Sequence, residues 1–168
     1  MEVLLNCFLD EWNINKNKQM NNILIEKFLQ GTEISFGLIG NENDIRVLPP
    51  LEISFNGTGS FLTFDKKEID DDTFYCPARL NDEDICKIKE FVKKAYQVIG
   101  FKDYGRVDTV LTKEGPYLIE INSFAGLMCT PKEKPHSYIG FMAVADNMSS
   151  SDLIDEIIKA ALKRYKMI

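Results

Sequence analysis

Histidine is almost missing from this chain: His136 is the only one in 168 residues. Cys7, Cys76, Cys86 and Cys129 are scattered with no Cys-x-x-Cys pair. Neither zinc ligation nor a disulfide framework is therefore expected, and free buried thiols in a reducing cytoplasm are. Basic stretches interleaved with aromatics are absent and the net charge is −6, so no nucleic-acid partner is expected. Neither a signal-peptide pattern nor a long apolar run occurs, so no membrane association is expected. Internal repeats and low-complexity stretches are lacking too. What is present, 45% hydrophobic and 27% charged residues, is the make-up of a soluble globular protein, with length enough for one domain and a real core.

Two short segments carry the chemistry. Gly105-Arg106-Val107-Asp108 and Glu120-Ile121-Asn122 flank a Lys113-Glu114-Gly115 turn signal. Asp108–Leu111 and Tyr117–Glu120 read as strands rich in branched and aromatic residues. A three-residue hairpin loop with Gly115 in the left-handed position is predicted between them. That register sets Asp108 opposite Glu120, with Asn122 on the same face. Facing like charges destabilise a sheet, and a hard cation between them removes the repulsion. Two carboxylates and an amide oxygen suit Mg²⁺ that also keeps waters and phosphate oxygens. Arg106, just before the first carboxylate, is placed for a phosphate or a developing oxyanion. Together they read as a phosphoryl-transfer site. A solvated hairpin with acids on its outer face is the plainer alternative. The apolar residues around both segments argue for burial, where an unpartnered carboxylate is costly.

The remaining elements are mixed. Val3–Trp12 reads as the end of a helix, Asn13–Asn22 as a polar connection, and Ile23–Phe28 as a strand before a turn at Gly31. Strands are predicted over Ile34–Ile39 and Ile45–Phe55, the second disturbed by Pro49-Pro50. Asn56–Tyr75 reads as a long loop, functional or simply disordered. Asn81–Ile99 is an amphipathic helix with Ile85, Ile88, Val92, Ala95 and Ile99 on its apolar face, capped by Asn81 and ended by Gly100. After a Ser123–Pro135 loop, a short helix is predicted over Ser137–Ala145. A last helix starts near Ser149, with Leu153, Ile157, Ala161 and Leu162 as its buried stripe and Ile154, Ile158 and Tyr165 alongside. The fold class is α+β, an antiparallel sheet backed by helices.

Five segments, in order, resemble the D-alanine–D-alanine ligase family of the ATP-grasp superfamily. They are Ile25–Glu33, Val47–Ile53, Cys76-Pro77-Ala78, Gly105–Asp108 and Glu120–Gly126, and the likeness runs from about Ile23 to Tyr165. The resemblance implies an ATP-grasp C-terminal lobe and an ATP-dependent carboxylate–amine ligase of peptidoglycan and cell-wall biosynthesis in the cytoplasm. Its cofactors would be ATP and Mg²⁺ or Mn²⁺, and its substrates small amino acids such as D-alanine. By the same resemblance Glu26 accepts from the adenine amino group, and the backbone near Lys27 and Leu29 reads the ring edge. Glu33 binds the ribose hydroxyls and Ile119 lines the adenine pocket. Asp108, Glu120 and Asn122 match the metal positions, Arg106 the arginine on the transferred phosphoryl group, and Gly126 a backbone donor to the oxyanion. Phe61–Asp72 corresponds to the loop that closes over the nucleotide, with Lys66, or Lys67 after a one-residue shift, as its phosphate contact.

The chain also departs from the family pattern. The His-Ser pair that holds the second substrate arrives late, at His136-Ser137, and Ala125 stands where the family usually has proline. Ser137 is the candidate for that substrate contact. The family's N-terminal domain and phosphate-loop lysines have no counterpart, so the whole of 1–168 reads as one C-terminal lobe, inactive on its own, with a complementing N-terminal half or a homodimer as partner. The alternatives are an ATP-grasp ligase with another acceptor, a degenerate nucleotide-binding module, or one chain of a split ligase.

Overall fold

The long central strand determines the layout. In the computed structural model, which describes residues 27–54, 73–130 and 135–168, β1 (Thr32–Asn41) runs through the middle of an antiparallel sheet. Its later half pairs with β2 (Asp44–Val47) and its earlier half with β3 (Leu51–Ser54). The other edge of β1 pairs along its length with β5 (Tyr104–Thr112). β4 (Thr73–Tyr75) and β6 (Gly115–Asn122) close the two sides, giving the order β4-β3-β1-β5-β6. Leu48-Pro49-Pro50 explains why the predicted Ile45–Phe55 strand divides in two. Proline has no N–H for a ladder, and here Leu48 N–H bonds Gly37 O at 2.9 Å while Pro50 O accepts from Ala78 N at 2.8 Å.

Helices cover the sheet unequally. α1 (Asp82–Ile99) lies on one face, packing Ile88, Val92 and Tyr96 against Ile34, Phe36, Leu38 and Val107. Asn81 caps it by accepting from Asp84 N–H, and Gly100 ends it at φ 80°, as predicted. Its buried stripe turns at Tyr96 rather than running to Ile99, which is exposed. The tyrosine can be buried because its hydroxyl donates to Gly40 O at 3.2 Å. α2 (Tyr138–Ala145) and α3 (Ser150–Arg164) take the opposite face, around Ile39, Leu48, Leu51, Met142 and Leu153. Ser149 and Asp152 form a capping box at the start of α3, and Arg164 ties its end to Asp103 through two hydrogen bonds of 2.9 and 2.6 Å. The buried residues of α3 are Leu153 and Ala160; Ile154, Ile158 and Tyr165 point to solvent.

Several expectations change here. The hairpin loop has two residues, because Thr112 pairs with Gly115. Thr73–Tyr75, expected in a loop, is a strand on the sheet edge. Lys27 and Phe28 are not in a strand. Cys86 is exposed, whereas Cys129 is buried and Cys76 half-buried; all three are free. Burial pushes the Cys76 thiol up to about 12, so it is not a nucleophile.

Among the described residues Glu52 on β3 is the one buried charge. It accepts from Arg79 N, Nε and NH2 at 2.9, 3.2 and 2.6 Å. These bonds hold its carboxyl below the usual carboxylate range although burial opposes them. A folded pKa below the unfolded value of 4.5 gives stability that is present above that pH and lost as pH falls through the folded pKa. Glu52→Gln is therefore expected to lower the urea midpoint at pH 7, and by progressively less as pH falls below 4.5, measured by equilibrium unfolding across that range.

Candidate active site

α2 and α3 leave part of their sheet face open, and that uncovered part carries charged residues among apolar ones. Alternation along β5 sends Val107 into the α1 core and Arg106 and Asp108 to the open face. Ser35 on β1 lies directly opposite Asp108, and Glu120 on β6 lies opposite it on the other side. A cleft of about 480 Å³ opens there, lined by residues that include Glu33, Ser35, Arg106, Asp108, Ile119, Glu120 and Tyr138.

The register of Asp108 and Glu120 is the expected one, reached by another route. The two-residue loop offsets the strands by one, and a bulge between Asp108 and Thr109, where Ile119 is the extra residue of β6, restores the offset. Bulges of this kind re-aim side chains next to functional sites. The bulge leaves Ile119 53% exposed. β6 is thus less buried than its apolar sequence implied, and the Glu120 side chain is 58% exposed.

The side chains converge. Arg106 folds back over Asp108, its Nε 2.8 Å from Oδ1 and its NH2 2.7 Å from Oδ2. The same guanidinium is 3.6 Å from Glu120 Oε1. Asn122 donates from Nδ2 to Asp108 Oδ2 at 3.1 Å and to Glu120 Oε1 at 2.8 Å. Ser35 Oγ donates to Asp108 Oδ1 at 2.6 Å. The Tyr138 ring, packed at a tilt against Phe74, has its centroid 4.7 Å from the Arg106 guanidinium carbon, a cation–π contact that steadies it. Two carboxylates against one guanidinium leave this cluster one negative charge in excess. Among the described residues no three His, Cys, Asp or Glu side chains are placed to hold a metal, and Asn122 presents its Nδ2 rather than its oxygen to both carboxylates, so its amide has to turn over before it can serve as a third donor. Two carboxylates and an amide, with room left for water and phosphate, fit a hard divalent cation.

Other predicted residues fall around this cluster. Glu33 and Ile119 line the same cleft. Lys27 and Leu29 line a second hollow of about 630 Å³ beside the hairpin turn. Gly126 and Ser137 are neighbours: a Cβ on Gly126 would stand 3.1 Å from that of Ser137. The Ser137 hydroxyl has structural work, accepting from Gly140 N–H at 3.0 Å as the α2 cap and donating to Met128 O at 3.1 Å. Gly140 must stay small, because a Cβ there would meet Met128 O at 2.1 Å. Glu26, Lys66 and the loop 61–72 lie outside the described residues. The sequence reading missed Ser35 and Tyr138. The signal for Ser35 was a lone hydroxyl within the apolar run of β1.

Comparison with known proteins accords with this geometry. Residues 9–159 match the family model described as D-ala D-ala ligase C-terminus. A D-alanine--D-alanine ligase of Flavobacterium johnsoniae is 34% identical over 145 residues, covering 86% of this chain and 42% of that protein. One from Actinobacillus succinogenes is 32% identical over 142 residues, covering 83% and 42%. Among solved structures, the Bacillus anthracis D-alanine--D-alanine ligase complexed with ATP superposes at a TM-score of 0.66 with 22% identity, over 84% of this chain and 42% of that one. The VanG D-Ala:D-Ser ligase from Enterococcus faecalis superposes at 0.62 with 22% identity, over 80% and 37%. The structures establish the ATP-grasp ligase fold, and the chain spans about two-fifths of the length of these relatives. With nearly its whole length matched, the chain belongs to the family of D-Ala–D-Ala ligase C-terminal domains.

Proposed function

We propose that this chain is the ATP- and metal-binding C-terminal part of a D-alanine–D-alanine ligase, which joins two amino acids through an acyl phosphate. The observation that carries the reading is the convergence of Asp108, Glu120, Asn122 and Arg106 on one cleft. In this reading Asp108 and Glu120 hold Mg²⁺ or Mn²⁺, and Asn122 adds its amide oxygen. An ion held there would supply positive charge to the phosphates during transfer. Arg106 contacts the transferred phosphoryl group, where its fork meets two oxygens at once. Glu33 accepts from the ribose hydroxyls. Ile119 offers apolar surface to adenine, Lys27 and Leu29 read the ring edge through their backbone, and Glu26 and Lys66 take the adenine amino group and a phosphate.

The γ-phosphoryl group passes to the carboxylate of the first amino acid, releasing ADP. The amine of the second attacks the resulting acyl phosphate, and inorganic phosphate leaves. Gly126 N–H donates to the oxyanion of that tetrahedral intermediate. The chain's part is positioning and charge rather than covalent catalysis. The reaction belongs in the cytoplasm, where ATP is available, and none of the described helices is long and apolar enough to cross a membrane.

A second reading keeps the chemistry and changes the acceptor amine. It is favoured by Ser137, whose hydroxyl is engaged by Met128 and Gly140 rather than offered to a substrate. In either case a purified polypeptide of these 168 residues, which spans about two-fifths of the length of its relatives, is expected to bind ATP without forming a peptide. Dipeptide formation by the purified chain, followed by chromatography, would contradict this. The function itself is tested by calorimetric titration with ATP in Mg²⁺ and in EDTA. Metal should tighten binding, as expected where ligands must meet both ion and phosphates. Equal affinity in both buffers, or no binding in either, would contradict it.

A further inference from the structure

We infer that Ser35 is a positioning residue that fixes which oxygen of Asp108 faces the cation, an inference that rests on the metal site proposed above. An aspartate side chain is soft about its last torsion, whose rotamer preference is broad and two-fold. Its two oxygens are otherwise interchangeable, so something must hold the carboxylate plane. Asp108 Oδ2 faces Asn122 at 3.1 Å, and Asn122 in turn reaches Glu120. Oδ1 faces the opposite way, to Ser35 Oγ at 2.6 Å.

Arg106 also touches both oxygens, but it is a long side chain and in this reading leaves for the phosphoryl group. Ser35 cannot leave. It sits on the central strand, in register with Asp108 and 1% exposed, on a side chain with a single rotatable bond before the hydroxyl. When the guanidinium turns away, the serine keeps Oδ1 occupied and Oδ2 directed at Glu120 and Asn122. A hydrogen bond to a ligating carboxylate from outside the ligand set typically accounts for about 10–100-fold in metal affinity.

The test uses the full chain with ATP present and follows free Mn²⁺ by its electron paramagnetic resonance signal. Ser35→Ala should weaken Mn²⁺ binding by about 10–100-fold, and Ser35→Thr, which keeps the hydroxyl, should restore it. The thermal midpoint of Ser35→Ala should fall, since a buried hydrogen bond to a charge is lost, but ATP affinity in EDTA should match wild type in both variants at a temperature where both are folded, which a merely structural role would not allow. Wild-type Mn²⁺ affinity in Ser35→Ala overturns the inference and leaves the proposed function standing. So does failure of Ser35→Thr to restore binding, or a loss of Mn²⁺ affinity matched by an equal loss of ATP affinity in EDTA. Absence of Mn²⁺ binding by the wild-type chain overturns the metal site itself, and the inference with it.

Discussion

Asp108→Asn is expected to lower Mn²⁺ affinity in the presence of ATP by more than about 100-fold, beyond what loss of a supporting hydrogen bond costs, while leaving the fold intact. The substitution keeps the size of the side chain and an oxygen that can accept from Ser35 Oγ, now 2.6 Å from Oδ1. It removes the charge. Asp108 is the centre of the cluster: Ser35, Arg106 and Asn122 all donate to it. With asparagine there, Arg106 still faces Glu120, 3.6 Å away, but the negative charge that draws a divalent ion to the centre of the cluster is one less. Glu120→Gln should have a smaller effect, because its side chain is more than half exposed and water can take its place. Free-Mn²⁺ measurement beside a thermal melt separates the loss of the site from the loss of the fold. An Asp108→Asn protein that binds Mn²⁺ like wild type would remove Asp108 from the ligand set.

Phe36→Ala is expected to destabilise the chain by about 3–5 kcal/mol. Phe36 is fully buried on the α1 side of β1, in one cluster with Ile88, Val92, Tyr96 and Val107. Truncation removes the ring's transfer energy and leaves a cavity between a sheet and a helix, neither of which can easily close it. That is a large part of the roughly 5–15 kcal/mol that holds a typical domain folded. Phe124→Ala is the matched control: its ring is 93% exposed, and substitutions of this kind usually stay within about 0.5 kcal/mol. Urea unfolding compares the two, with a lower midpoint and an unchanged slope expected for Phe36→Ala alone. Equal midpoints would mean that the α1 face contributes little to stability. The two sensitive positions are linked through strand alternation, since Phe36 and Val107 face α1 while Ser35 and Asp108 face the cleft.

Local rules made much of this legible. The caps of α1 and α3 follow from Asn81, Gly100 and Ser149, side chains whose hydrogen bonding is decided within three or four residues. The pairing of Asp108 with Glu120 could be read from the turn signal, although a two-residue loop plus a bulge shifts the register just as a three-residue loop does. Sequence spacing cannot tell those two apart. What tertiary context decided was harder to see. Tyr96 replaces Ile99 in the buried stripe of α1 because Gly40 O is there to receive its hydroxyl. Ile154 and Ile158 match the apolar period of α3, yet the helix is rolled so that Leu153 and Ala160 meet the sheet. Ser35 gains its meaning only from the strand beside it, 73 residues away in sequence. The metal and nucleotide roles themselves came from the family resemblance joined to the hairpin argument.

The central claim is that one cation sits between Asp108, Glu120 and Asn122 beside a nucleotide. Crystals of the chain grown with Mn²⁺ and a non-hydrolysable ATP analogue test it most directly, through the anomalous signal of manganese. The account predicts a peak in the cleft within coordination distance, about 2 Å, of Asp108 and Glu120 oxygens and of analogue phosphate oxygens, with Arg106 turned from Asp108 to the phosphates. A nucleotide bound with no manganese peak between these residues, or with Arg106 still paired to Asp108, would contradict it.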